Sequence, residues 1–144
     1  MRMNLRQYQG ADKNARLMEA NPHQIILMLM DGVLEKIAVA KGCIERKDIE
    51  GKSNAINRAI ALISGLQGVL DTDSEPEVSQ RFSDFYDVMT EGLVDASASR
   101  DTEKLEQLMQ LFRPLRDAWR DMPDPQKQEG LDKLQHRDAN RPAS

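Results

Sequence analysis

From Asn21 to Asp48 the chain reads NPHQIILMLMDGVLEKIAVAKGCIERKD, and this stretch opens with helix-start chemistry. Asn21 can cap, Pro22 fits the first helical position because its missing N–H would be unpaired there, and Gln24 can reach back to the cap backbone. From there Ile26, Leu29, Val33, Ile37, Ala40 and Ile44 recur at steps of three and four. Such a stripe is buried against neighbouring helices. The spacing predicts one helix over residues 22–46. Every residue from Ile25 to Met30 is apolar, however, and at about 100° per residue Leu27 and Met28 point well away from the stripe. The expected cover for them is partly the chain's own N-terminus and partly a partner polypeptide.

Three further amphipathic segments follow. Asp48 is placed to cap a second helix, in which Ile56, Ala59, Ile63, Leu66 and Leu70 form a bundle seam and Ala55, Leu62 and Val69 a side row. Gly65 and Gly68 weaken it by up to about 1 kcal/mol each, and close helix packing is the expected reason for them. A break at DTDSEPE puts Ser74 as cap and Pro76 in the first turn of a third helix ending near residue 98. Its seam is read as Val78, Phe82, Phe85, Met89, Gly92 and Ala96, widened by Tyr86 and Leu93, with the phenylalanines as core volume. Asp101 caps a fourth helix carrying Leu105, Leu108, Phe112, Leu115, Trp119 and Met122, bent at Pro114. Four helices with short connections imply an all-α, antiparallel up-down four-helix bundle. The domain boundaries are then an N-terminal strap or short helix over 1–20, the bundle over 21–122, and a polar, flexible tail over 123–144. In the first segment Leu5 and Tyr8 share a face and are the natural anchors of a strap; a disordered tail is the alternative.

Composition narrows the function. A chain of 144 residues, 40% hydrophobic and 31% charged, suits one domain with a real core. A net charge of -4 argues against a nucleic-acid partner, and Arg113, Arg116 and Arg120 are interleaved with Asp117 and Asp121. No apolar run is long enough to span a bilayer, and no secretory signal is recognisable, so a cytoplasmic location and no stable membrane insertion are expected. Cys43 is the single cysteine, and a small, part-buried hydrophobe is its expected role. A di-metal bundle site needs Glu three residues before His, whereas Ala20 precedes His23 and Lys133 precedes His136 at that spacing. Asp84, Asp87, Glu91 and Asp95 lie opposite the seam and read as a wet face. No phosphate-cradling loop or nucleophile elbow is present. The reading is a protein without catalytic residues, cofactor or metal.

Taken together in order, the pieces resemble the FliS family of flagellin-specific export chaperones. Leu5 and Tyr8 are similar to the family's apolar residue and tyrosine near the N-terminus. NPH at 21–23 followed by LMLMDG at 27–32 resembles its entry to helix one, Ile44–Asp71 its helix-two region, and LRDAW at 115–119 its helix-four ending. Met30 stands where the family usually has an aromatic residue, and Pro114 is a second departure. The resemblance implies binding of the disordered C-terminal region of flagellin, prevention of its premature polymerisation, and delivery to the type III export gate component FlhA. It also places Leu5 and Tyr8 on a strap that occupies the client groove and takes part in gate docking. Ile25, Met28, Leu29, Leu62 and Val69 are groove candidates from wheel geometry and the family match together. Asp31 is expected as an exposed charge and Gly32 as a point of close approach. A different helical client, or a structural homodimer closed by the strip on helix one, are the competing readings.

Overall fold

The computed structural model describes residues 21–123. The strap expected over 1–20, and all of the expected tail beyond Pro123, lie outside the described residues. Among the described residues there are four helices: α1 (Pro22–Glu45), α2 (Ile49–Gly68), α3 (Pro76–Ser99) and α4 (Thr102–Asp121). The chain divides into two compact units, Leu27–Trp119 and a second drawn from Met1–Ile26 with Arg120–Ser144. In the second unit the Asn21 carboxamide oxygen accepts the Gln24 N–H at 3.2 Å and the Asn21 carbonyl that of Ile25 at 3.2 Å. Asn21 thus caps α1, with Pro22 in the first position as its chemistry predicts.

In the unit Leu27–Trp119, contacts along each seam run in opposite directions on the two helices. On α1 and α2, Gly32 faces Leu62 and Gly51 faces Cys43. On α2 and α3, the Lys52 ammonium donates to the Ser97 carbonyl at 2.8 Å, and the Gln67 amide donates to the Ser83 carbonyl at 3.1 Å and to Asp87 at 2.8 Å. On α3 and α4, Gly92 meets Leu108 and Phe85 lies 6.2 Å from Phe112, centroid to centroid. On α4 and α1, Arg116 pairs with Asp31 at 2.7 Å and Lys41 with Glu106 at 3.3 Å. As the residue number rises on one helix it falls on its neighbour at every seam, so the four helices close into an antiparallel up-down bundle.

The α1–α2 and α3–α4 turns use one device twice. Lys47 (φ 62°) and Arg100 (φ 54°) take the left-handed conformation that ends a helix. The next residue then turns its N–H back, Asp48 to the Cys43 carbonyl at 2.8 Å and Asp101 to the Ala96 carbonyl at 3.0 Å. Its side chain starts the following helix: Asp48 accepts the Gly51 N–H and Asp101 the Lys104 N–H, both at 3.0 Å. The α2–α3 turn differs from expectation. Ser74 is not the cap; its hydroxyl donates to the Asp71 carboxylate at 2.6 Å. Glu75 takes the cap position without a side-chain bond, and Pro76 opens the helix. Asp71 also accepts the N–H groups of Ser74 and Asp73, and these bonds, led by the Ser74 hydroxyl, hold its carboxyl below the usual range.

The core is the expected stripe with its phase shifted. On α1 the buried line is Met30, Val33, Ile37, Ala40 and Cys43, while Ile26, Leu29 and Ile44 are half-buried. Met30 is thus core, filling irregular space as a flexible thioether can. On α2 the seam residues Ile56, Ala59, Ile63 and Leu66 are buried, with Ala55 of the side row, while Leu70 is half-buried and lies past the end of the helix. On α3 the buried residues are Ser79, Tyr86, Met89, Gly92, Leu93 and Ala96; Phe82 and Phe85 are only half-buried and Val78 is exposed. The large aromatic volume of the core therefore comes from Tyr86 and Phe112, 3% and 0% exposed. Burial pushes the Tyr86 phenol up to about 12. On α4, Leu105, Leu108, Met109 and Phe112 are buried. Helix α4 runs continuously through Pro114. Pro114 and Gln110 are both exposed, so solvent can reach the carbonyl that loses its partner.

Close approach occurs at glycines other than Gly65 and Gly68. A Cβ on Gly68 would meet nothing within 4 Å, and one on Gly65 only Leu29 at an ordinary 3.9 Å. A Cβ on Gly92 would lie 2.7 Å from Leu108, which is itself buried. Gly68→Ala is expected to raise stability by up to about 1 kcal/mol through helix propensity and a less free unfolded chain. Gly92→Ala is expected to lower it by about 1–2 kcal/mol, because the overlap outweighs the same gain. Urea denaturation of the two variants checks the pair; a stabilised Gly92→Ala would show that the α3–α4 seam is looser than described.

Candidate functional site

Met28 is 65% exposed on α1, a large apolar side chain with no place in the core. Leu29 and Leu62 are half-buried and pack reciprocally. Leu62 on α2 lies 3.0 Å from where a Cβ on Gly32 would stand, and Leu29 on α1 reaches toward Gly65 on α2. Gly32 is thus the close-approach point expected of it. Val69, at the C-cap of α2, is 38% exposed. The structure therefore brings Leu29 and Leu62 together in the α1–α2 seam and leaves Met28 and Val69 open to solvent. Ile25 is half-buried and belongs to the other compact unit. Leu5 and Tyr8 lie outside the described residues. Asp31 is only half free: its carboxylate accepts from the Arg116 guanidinium, which also bonds the neighbouring Asp117 at 2.8 Å.

A second apolar surface escaped the sequence reading. Between the start of α3 and the end of α4 lies a cleft of about 410 Å³ lined by Val78, Arg81, Phe82, Phe85, Leu111 and Leu115. Val78 is 42% and Leu111 55% exposed, so the cleft opens to solvent rather than sitting inside the bundle. Val78, Phe82, Phe85 and Leu115 were read as seam because they keep helical spacing; Leu111 stood outside that pattern. The signal that separates them is the adjacent apolar pairs Phe85–Tyr86 and Leu111–Phe112. Neighbours on a helix differ by about 100°, so one member of each pair turns inward and the other must face a second surface. Tyr86 and Phe112 are the inward members. Phe85 remains anchored from behind by its contact with Phe112, the rings inclined at 23°, and by Tyr86 at 6.0 Å.

Chemically the cleft offers apolar contact with one cation, Arg81, beside it. That is a surface for the face of an amphipathic segment. The acidic row Asp84, Asp87, Glu91 and Asp95 is exposed, as a wet face should be. Among the described residues no group of three or more His, Cys, Asp or Glu side chains converges to hold a metal ion, and no helix is long and apolar enough to cross a membrane.

Comparison with known proteins places this geometry in a family. The profile of the Flagellar protein FliS family matches residues 4–126. A flagellar secretion chaperone FliSB of Pseudomonas aeruginosa is 36% identical over 115 residues, covering 80% of this chain and 91% of that protein. The flagellar secretion chaperone FliS of Salmonella typhimurium is 30% identical over 117 residues, covering 81% and 87%. A FliS of Bacillus subtilis is 33% identical over 101 residues, covering 70% and 74%. A four-helix bundle with open apolar surfaces, matched by the family profile over residues 4–126 and by these relatives over 70–81% of the chain, belongs to the FliS family of flagellar secretion chaperones.

Proposed function

We propose that the chain captures the unfolded C-terminal region of flagellin, holds it from polymerising in the cytoplasm and carries it to the export gate component FlhA. The observation that carries the reading is the solvent-open apolar cleft between α3 and α4, in a chain whose relatives are named flagellar secretion chaperones. A monomeric soluble protein does not ordinarily leave Val78, Phe82, Phe85 and Leu111 around an open cleft without a partner. An unfolded amphipathic client can order there as a short helix, losing chain entropy while burying the face that would otherwise self-associate. The strip around Met28, with Leu29, Leu62 and Val69, offers a second stretch of contact; Ile25 is assigned to the client in its own right, and Leu5 and Tyr8 to the groove when the client is absent and to gate docking. Nothing in this function calls for a reaction; binding and release suffice.

The test is calorimetric titration of the full chain with the flagellin C-terminal segment from the same source. Tight one-to-one binding with a negative heat-capacity change is expected, since apolar burial and coupled folding both leave that mark. Met28→Asp is expected to weaken binding about tenfold, or ~1.4 kcal/mol, with an unchanged fold by circular dichroism. Absence of binding by the intact chain would rule out the flagellin client and leave the cleft to another helical partner.

A further inference from the structure

At the far end of the bundle from the apolar cleft the two like turns, α1–α2 and α3–α4, come together around a second hollow. It measures about 290 Å³ and is lined by Ile44, Lys47, Asp48, Ile49, Lys52 and Arg100. At 1.5 Å per residue along α3, Arg100 lies about 27 Å from Phe82 of the cleft. The hollow brings three cations together in a chain of net charge -4. Its one carboxylate, Asp48, is committed to the Gly51 N–H at the start of α2. Lys52 is 7% exposed and spends one of its three donors on the Ser97 carbonyl, which fixes its ammonium at this end of the bundle. Lys47 and Arg100 form no ion pair with any described residue.

Both of those cations stand at left-handed positions where glycine would be free of strain. Because α1 and α3 run in the same direction, the two positions fall at one end of the bundle. Beside the charges stand Ile44, half-buried, and Ile49, 50% exposed. A bare inorganic anion would use the cations and leave both isoleucines uncovered. A peptide carrying carboxylates next to an aliphatic side chain would satisfy both.

We propose that the hollow between the α1–α2 and α3–α4 turns is a docking site for an acidic, aliphatic segment of a partner protein, held by Lys47, Lys52 and Arg100 with its apolar side chain on Ile44 and Ile49. The site is separate from the apolar cleft, and its argument does not depend on the flagellin reading.

The experiment titrates the peptide acetyl-Asp-Glu-Ile-Asp-Leu-Glu-amide into the isotopically labelled full chain, followed by amide chemical shifts. Shifts are expected at residues 44–52 and around Arg100, and the affinity is expected to fall as ionic strength rises. The double variant Lys47→Gly with Arg100→Gly separates site from scaffold. It removes two charges and also relieves two left-handed residues, so it is expected to raise Tm while weakening the peptide about tenfold. Shifts confined to other surfaces, or undiminished binding to the double variant, would overturn the proposal. So would equal binding of the Asn/Gln analogue of the peptide, or displacement by inorganic phosphate at comparable concentration, which would mark a site for free anions.

Discussion

Leu111→Asp is expected to weaken capture of the flagellin C-terminal segment about thirtyfold, or ~2 kcal/mol, while leaving stability within about 0.5 kcal/mol. Leu111 lines the α3–α4 cleft and is 55% exposed, so in the free protein the new carboxylate stays hydrated. Only a bound apolar segment would strip that water away, and the carboxylate finds no hydrogen-bond donor there other than Arg81 beside the cleft. The calorimetric titration used for the intact chain reads the affinity, and thermal unfolding reads the fold. Unaltered affinity would remove the cleft from the client path and leave the strip around Met28 as the whole of it.

The adjacent residue should behave oppositely. Phe112→Ala is expected to destabilise the bundle by about 3–5 kcal/mol, a large part of the roughly 5–15 kcal/mol that holds a domain of this size. Phe112 is fully buried and its ring lies 6.2 Å from that of Phe85. Removing it leaves a void in the core and withdraws the support behind one wall of the cleft. Chemical denaturation followed by circular dichroism measures the loss; a denaturation midpoint like that of the parent chain would mean that Phe112 is not the centre of the α3–α4 packing. Two neighbours about 100° apart thus divide the labour, one toward the client and one toward the fold.

What was legible in the sequence follows the same division. Helix starts at Asn21, Asp48 and Asp101 were readable because a capping side chain acts on N–H groups three residues away, a purely local matter. Ser74 misled for an equally local reason: Asp71 claims its hydroxyl first. The phase of the α1 stripe was less legible. With Ile25 to Met30 all apolar, the lines through Leu29 and through Met30 both keep the period, and only tertiary packing selects Met30 and Cys43 over Leu29 and Ile44. For the site, exposure of Met28 followed from its angle on the wheel. The α3–α4 cleft did not, because large aromatic side chains at Phe82 and Phe85 were taken as depth when they are width. Periodicity tells which residues share a face; it does not tell which of two apolar faces the bundle turns inward.

Three of the four seams join helices that follow one another in the chain, and their partners meet after a short turn. The seam between α4 and α1 is different: Arg116 and Asp31 are separated by 85 positions, Lys41 and Glu106 by 65. Loop closure grows costlier with length, if slowly, and here it must be offset by contacts that include ion pairs open to solvent. The bundle is in this sense a pleated ribbon of three hairpins whose outer edges are clasped together by its most distant pairs in sequence. Partial opening would start at that clasp and would leave the α2–α3 pair, with its Lys52 and Gln67 bonds, as the part that lets go late.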